Sequence, residues 1–373
     1  MREFTDGSAA IVRGALDAGC TFFAGYPITP ASPILMQMIR ELPKVGGVAI
    51  QAEDEIASIG MCIGATLAGA RAMTASSGPG LSLYSENIGL AIIGEVPLVI
   101  VDVQRLGPAT GGATTVGQGD VQFARWGTAG GYPIIVLAPS SVIECYAITR
   151  RAFDMAERFR CPVLVLADKE LNMTTTTVDV TRYEAPPVRE RGVPAGGEPP
   201  YRYVPAGDVP PLAQYGGDGL VRFTGSTHDE RAFITKAPDE VAAMNEHLRA
   251  KIEDHAAEIE LVAADLEPGA TTLFVSYGIT AGAMREAVRT ARAAGRRVSS
   301  LTVQSLWPVP ESAIRAALAG VTRVVVAELN HGQYRREIER LAGSTEVVGI
   351  NRVDGELIAP AAFIATLPAE VRA

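Results

Sequence analysis

Four short segments hold residue types that could do chemistry. In "QAEDEIASIGMCIGATLAGA", residues 51–70, a strand-like run delivers Glu53, Asp54 and Glu55 to the start of a helix. Acids favour a helix's first turn because its unpaired N–H groups carry partial positive charge, and Asp54 reads as such a cap. Glu55 has a different context, since the residues after it, as far as Gly64, are almost wholly small or apolar. A carboxylate on that edge is partly desolvated and can share a proton with a heterocycle nitrogen; plain capping is the alternative. In "SSGPGLSLYSENIG", 76–89, Gly78 and Gly80 around Pro79 let backbone approach a ligand closely. No GK[ST] follows, so this is not a nucleotide P-loop, and a tight turn is the alternative.

The third segment is "VQRLGPATGGATTVGQGD", 103–120, where a strand ends in Arg105 and enters a Gly/Thr-rich loop. Ligands bind at strand C-termini in open parallel sheets, and a guanidinium pairs bidentately with a carboxylate. Thr110, Thr114 and Thr115 add hydroxyls. The fourth is "GYPITPASP", 25–33, where Pro27, Pro30 and Pro33 restrict the backbone around Thr29. Pro30 disfavours helical φ/ψ at residue 29, which predicts a hydroxyl turned outward at a strand-to-helix junction that suits an anion; a rigid turn without a ligand is the alternative. "GGDGL", 216–220, with Asn245 downstream, imitates a magnesium–diphosphate signature. It lacks the apolar strand that such a motif needs just before it, and is rejected on context.

The elements that must position these segments follow from hydrophobic patterning. Residues 5–19 predict an amphipathic helix ending at Gly19. "CTFFAGYP", "VGGVAIQAE", "ARAMTASS", "VPLVIVDV", "YPIIVLAP" and "CPVLVLAD" read as strands, alternating with helical runs. "GPGLSLYSENIGLAII" reads as a Gly-punctuated loop into a helix, and "SSVIECYAITRRAFDMAERF" as a Ser-capped helix. Continuous apolar strands alternating with helices mean an α/β fold, a parallel sheet covered on both faces, over residues 1–178. Residues 185–211 hold eight of the 24 prolines, an irregular connector. "EVAAMNEHLRAKIEDHAAEIELVAADL" predicts one long helix, with His247 and His255 as solvated residues on it. A second α/β unit follows over 268–373, after a connector-and-helix region 179–267.

The chain has 373 residues and a net charge of −9, so nothing attracts nucleic acid or an anionic membrane. No apolar stretch reaches the length of a span, and the segment Ile88 to Val101 is broken by Glu95 and Pro97. The first ten residues lack an apolar signal core, so the expectation is a cytoplasmic protein. Cys20, Cys62, Cys145 and Cys161 are scattered without a CxxC, and the four histidines form no HxH or HExxH. The expectation is buried thiols and no metal site in this chain.

Taken in order, "GYPITP", "QAEDEIA…IGA", "TASSGPGLSL", "ENIGLA", "VDVQRLGPATG", "QGD", "TG…HDE" and "LWPVP" resemble the α subunit of 2-oxoacid:ferredoxin oxidoreductases over nearly the whole chain. "TGSTHDE" with "LWPVP" most resembles the 2-oxoglutarate enzymes, although pyruvate and branched-chain 2-oxoacid enzymes share fold and site. The resemblance implies a thiamine diphosphate pyrimidine-binding domain followed by a transketolase C-terminal-like domain. It implies a β subunit that carries Mg2+ with the diphosphate and a [4Fe–4S] cluster, assembly as a dimer of αβ heterodimers, coenzyme A as co-substrate and ferredoxin as electron acceptor. It places Glu55 at N1′ of the aminopyrimidine, the cofactor against Gly78, Pro79 and Gly80, and the substrate near Tyr26, Thr29, Arg105 and Thr114. Ala109 and Ala113 depart from the family's GPSTG-x-PT loop. A cation for a distal substrate carboxylate would come from Arg125, Arg71 or the β subunit. A non-catalytic scaffold subunit is the alternative from another class.

Overall fold

The computed structural model describes residues 2–368 apart from 180, 182–186, 193, 195–197 and 218–219. Asp218 and Gly219 of the rejected diphosphate signature, and parts of the proline-rich connector, therefore lie outside the described residues.

The first half builds a seven-stranded sheet. Its order is Ser305–Trp307, Ile135–Leu137, Pro162–Asp168, Leu98–Gln104, Ala72–Ser76, Phe22–Gly25 and Val48–Gln51. All neighbours are parallel except the first pair. Successive side chains of a strand point to opposite faces, and both faces are buried. Val99, Val101 and Val103 pack with the helices Gly7–Asp17, Ser32–Glu41 and Val142–Phe159. Leu98 and Ile100 pack with Glu55–Leu67 and Gly78–Ile93. The helix starts are written locally: Asp6 Oδ1 accepts from the Ala9 N–H at 2.8 Å, and Ser141 Oγ accepts from the Glu144 N–H at 3.4 Å.

A second sheet runs Glu346–Asn351, Arg323–Glu328, Thr272–Ser276, Ser299–Val303 and Val262–Asp265, the last antiparallel. Leu273, Val275, Leu301, Val324 and Val326 join the same buried cluster as Leu98 and Ile100, so one core runs through both sheets. Phe274 and Val325 face the other way, under the helix Thr280–Ala293. Arg2–Thr5 and Thr176–Asp179 form a separate antiparallel pair.

Four expectations need correction. The long helix ends at Glu253; a short turn, Ala256–Ile259, leads into the strand Val262–Asp265, whose backbone pairs with Ser300–Val303. The second unit, expected over 268–373, does not keep the whole of "RVSSLTVQSLWPVP". That run divides at Gln304, and Ser305–Trp307 crosses to become the antiparallel edge of the first sheet, with the Trp307 indole N–H on the Val121 carbonyl at 3.1 Å. The segment at 78 is helical from Gly78 onward, with no loop before it. His247 is not solvated: its ring is wholly buried, 2.9 Å from Glu95. Among the described residues no helix is long and apolar enough to cross a membrane.

Candidate active site

The parallel register decides what meets what. Gly25 pairs with Gln51, and Ser76 with Asp102, after which Leu98–Gln104 runs two residues further, so the carboxyl ends of the four strands lie along one edge. Tyr26–Thr29, Glu55, Gly78–Gly80 and Arg105 therefore emerge together at the carboxyl edge, where open α/β sheets bind ligands.

Glu55 opens the helix Glu55–Leu67 and is 7% exposed. Asp54 is the cap, its Oδ1 accepting from the Ala57 N–H at 2.7 Å. That leaves the Glu55 carboxylate free of the capping role. Gly80 lies directly against it: a β-carbon there would stand 2.9 Å from Glu55 Oε1 and 1.9 Å from Ser76 Oγ. Only glycine permits that approach. Behind Glu55, its carbonyl accepts from Ser58 Oγ at 2.8 Å, and the Tyr84 hydroxyl lies 3.2 Å from Ser58 Oγ and 2.7 Å from Thr74 Oγ1. Burial pushes the Tyr84 phenol up, so it stays a neutral hydrogen-bonding floor.

Arg105 directly follows the strand Leu98–Gln104, is 6% exposed, and donates from Nη1 to the Thr29 carbonyl. Its Nε has no partner. Arg105 and Thr29 are thus brought together, through the backbone oxygen rather than the hydroxyl; the Thr29 side chain and Tyr26 are exposed beside it. Thr114 lies exposed on the loop that folds back through Leu106 N–H to Thr115 carbonyl at 2.9 Å, and it does not line the cavity described next. Ala109, at φ 51°, bends that loop in the left-handed region.

A cavity of about 500 Å³ opens from Gly78 and Pro79 past Arg105 to the loop Leu329–Gln333. Its size suits a small ligand or cofactor arm. A larger cavity of about 770 Å³, lined by Arg125, Trp126 and Trp307, lies apart from all of these residues. Neither arginine expected for a distal carboxylate reaches the site. Arg125 stacks on Trp126 at 3.9 Å and donates to the Gly131 and Tyr132 carbonyls. Arg71 donates to the Ala18 carbonyl and faces Glu157.

Residues that sequence reasoning missed stand under the site. Asp102, fully buried, faces Asp120 and the Gly78 N–H without a well-formed hydrogen bond at either oxygen. Burial, reinforced by Asp120, raises the Asp102 carboxyl well above the carboxylate range. Burial also raises Asp120, against the pull of Arg105. A lone acid inside the apolar run "VPLVIVDV" was the available signal. Gln118 of "QGD" joins the two sheets like a strand residue: its N–H donates to the Leu329 carbonyl at 2.9 Å, and its Oε1 accepts from the Leu329 N–H at 3.0 Å. Gln118 Nε2 reaches Asp168 at 3.2 Å. The four cysteines are buried singly, and burial pushes the Cys20 thiol up to about 12.

The residues 13–247 match the family described as "Pyruvate flavodoxin/ferredoxin oxidoreductase, thiamine diP-bdg". Residues 270–363 match "Pyruvate:ferredoxin oxidoreductase core domain II". The chain is 40% identical to the 2-oxoglutarate synthase subunit KorA of Methanothermobacter thermautotrophicus, over 96% of each chain. It is 36% identical to the ketoisovalerate oxidoreductase subunit VorB of the same organism, over 95% of this chain and 94% of that one. It superposes with a TM-score of 0.89, at 31% identity, on the 2-oxoglutarate:ferredoxin oxidoreductase of Magnetococcus marinus, solved with 2-oxoglutarate, coenzyme A and succinyl-CoA bound, covering 98% of this chain and 64% of that one. With matches over both sheets and near full-length identity of this order, the chain belongs to the pyruvate flavodoxin/ferredoxin oxidoreductase family with its thiamine diphosphate-binding domain.

Proposed function

We propose that this chain is the α subunit of a 2-oxoglutarate synthase, which decarboxylates 2-oxoglutarate oxidatively to succinyl-CoA and CO2, passes the electrons to ferredoxin, and can run in reverse. The observation that carries the reading is that Glu55 packed against Gly80, and Arg105 in one cavity with Gly78 and Pro79, emerge at one sheet edge, in a chain collinear with 2-oxoglutarate synthase subunits. In domain terms, residues 1–178 bind the pyrimidine, 179–267 connect, and 268–373 form the transketolase C-terminal-like unit.

The residues present fit thiamine diphosphate: a buried carboxylate beside a glycine cradle is what a flat aminopyrimidine needs. When bound, thiamine diphosphate supplies the electron sink that 2-oxoacid decarboxylation requires. Glu55 holds a proton against the ring nitrogen. Gly78, Pro79 and Gly80 supply close backbone and keep side chains out of the way. Arg105, with its free Nε, takes the substrate's 1-carboxylate, while Thr29 anchors the guanidinium and offers its hydroxyl. Tyr26, exposed beside Thr29, and Thr114, exposed on the loop after Arg105, would reach the substrate only from outside the cavity lining.

The β subunit completes the site and brings Mg2+ for the diphosphate and the [4Fe–4S] cluster, in a dimer of αβ heterodimers within the cytoplasm. The face of Glu55–Leu67 supports this: Ile56 is 51% and Met61 41% exposed, and a β-carbon on Gly60 or Gly64 would meet open space. Such a flat apolar face beside an active site calls for a partner.

Glu55→Ala in the co-purified complex tests the reading. The expected result is a loss of about 10²–10⁴-fold in 2-oxoglutarate- and CoA-dependent dye reduction. Near wild-type activity would leave only a scaffold role. Equal kcat/KM for pyruvate, 2-oxoglutarate and 2-oxoisovalerate would remove the substrate assignment.

A further inference from the structure

Two acids stand beneath the corner that holds Arg105, and neither fastens any element to another. Asp102 is wholly buried, and neither of its oxygens has a well-formed hydrogen bond. It lies two residues before Gln104 on one strand, so both side chains leave on the same face. Gln104 Oε1 accepts from the Asp120 N–H at 3.3 Å, which brings Asp120 back over that face. Gly78 lies against both acids. Asp102 faces its N–H, and a β-carbon on Gly78 would stand 3.7 Å from Asp120 Oδ2. The two carboxyls thus meet at one glycine, where the helix Gly78–Ile93 begins. Asp120 also lines the cavity that holds Arg105, and its Oδ2 is enclosed and unpaired.

Two carboxylates this close and this dry do not both ionise without large cost, and one proton held between them removes most of it. Burial, with Asp120 nearby, raises the Asp102 carboxyl, and burial raises Asp120 against the pull of Arg105. Arg105 acts on Asp120 through its charge, while its Nη1 is given to the Thr29 carbonyl. An anion seated on Arg105 cancels that pull and adds a negative charge beside the pair. Three other titratable groups stand around the pair. Asp168 ends the neighbouring strand and is itself raised to about 7 by burial, His331 lines the cavity, and Glu55 packs on Gly80.

We propose that Asp102 and Asp120 are a positioning pair that shares one proton, and that a 2-oxoacid carboxylate binds Arg105 only while the pair keeps it. The inference rests on Arg105 as the carboxylate anchor of the proposed activity. The anion raises the pair's hold on the proton, so binding is full below the pair's titration in the free enzyme. It weakens as pH rises, by up to about tenfold per pH unit for one proton.

The test uses the complex with the partner subunit and follows the KM for 2-oxoglutarate from about pH 6 to about pH 9. In the wild type the KM should climb towards the upper end by up to about tenfold per unit, with kcat changing less. Asp120→Asn keeps the shape and cannot ionise. Its KM should be flat and, at the alkaline end, lower than that of the wild type, a gain that a merely structural residue would not give. Asp168→Asn should leave the slope in place. A second readout needs no turnover: the infrared difference between the wild-type complex and Asp102→Asn at neutral pH should contain a protonated-carboxyl stretch that the variant lacks. A flat wild-type KM, an unchanged slope in Asp120→Asn, a slope abolished by Asp168→Asn, or the absence of that stretch would each overturn the pair. A wild-type complex that oxidises no 2-oxoacid would overturn the underlying activity instead, and the shared proton would still stand or fall on the infrared band.

Discussion

The two ends of the strand Leu98–Gln104 handle charge in opposite ways. Just before its start, Glu95 Oε2 lies 2.9 Å from both His247 Nε2 and Lys251 Nζ, all three side chains almost wholly buried. Lys251 also donates to the Arg160 carbonyl, and Arg160 donates to the Pro200 and Pro210 carbonyls. Burial opposes the charge on Glu95, but Lys251, Arg160 and His247 hold its carboxyl well below the usual range. At the other end, Asp102 has no well-formed hydrogen bond and the Arg105 Nε has no partner. One end uses charge to fasten the connector and the helix Pro238–Glu253 to the sheet, with only Glu95 Oε1 and His247 Nδ1 of that ion cluster left unpaired; the other makes no ion pair among the described residues and leaves both Asp102 oxygens, Asp120 Oδ2 and Arg105 Nε unpaired. Uncommitted buried groups are costly, and at the carboxyl edge Ser76, Ser77, Asp102, Arg105 and Asp120 each hold one with no ion pair beside it to offset the cost.

The largest effect that tests this contrast is at the fastened end. Glu95→Gln keeps the shape but leaves Lys251 buried with half its compensation, and breaking a buried pair costs about 3–5 kcal/mol. The midpoint of urea unfolding of the assembled complex should fall accordingly, while kcat/KM of the complex that remains folded changes little. Glu55→Ala should do the reverse, lowering activity with unfolding unmoved. If Glu95→Gln costs under about 1 kcal/mol, the cluster behaves like a surface pair and the contrast between the two ends fails.

A smaller effect lies between the sheets, where Asp168 accepts from the Ile279 N–H at 2.6 Å and from Gln118. Burial raises its carboxyl from 3.8 to about 7, against those two bonds. The folded state then binds more protons than the unfolded chain, so stability is greatest below about pH 4 with respect to this group. It is lost as pH rises through about 7. Asp168→Asn keeps an oxygen for both donors and cannot ionise. Urea midpoints at pH 5 and pH 8 should differ less in the variant, by on the order of 3 kcal/mol. Asp102 and Asp120 add slope of the same sign, so the difference from wild type is the quantity to measure. An identical slope would mean that Asp168 is already ionised at pH 5 and is held as a charge by its two donors.

The first sheet was legible because its strands are continuous apolar runs and its helix starts carry Asp6, Asp54 and Ser141. Glu55, Gly80 and Arg105 were legible because a local rule alone left each of them over. The failures were non-local. Nothing in "LTVQSLW" marks Gln304 as the point where the chain changes sheets, since the decision is made by the edge of Ile135–Leu137. His247 read as a solvated helix residue because Glu95, its partner, is 152 positions away. Gln118 gains its meaning only when the second unit closes over the first and Leu329 pairs with it, and Asp102 only when Asp120, eighteen positions on, folds back against it. Helix periodicity continued through Asp254 and His255 because a short amphipathic strand such as Val262–Asp265 carries little pattern of its own.

The smallest effect probes the rim of the uncommitted end. Thr29 serves Arg105 through its carbonyl, which any residue supplies, and in the proposed reading offers the substrate a single neutral hydroxyl. Thr29→Ala therefore keeps the guanidinium in place and removes one hydrogen bond. The KM for the 2-oxoacid should rise about three- to tenfold, the range of a net hydrogen bond, with kcat nearly constant, because a contact made equally in ground and transition states changes binding alone. Thr29→Ser should restore the KM. An unchanged KM in Thr29→Ala would reduce this residue to a backbone anchor, and Arg105 would then bind the 1-carboxylate without a side-chain partner from the proline-rich turn.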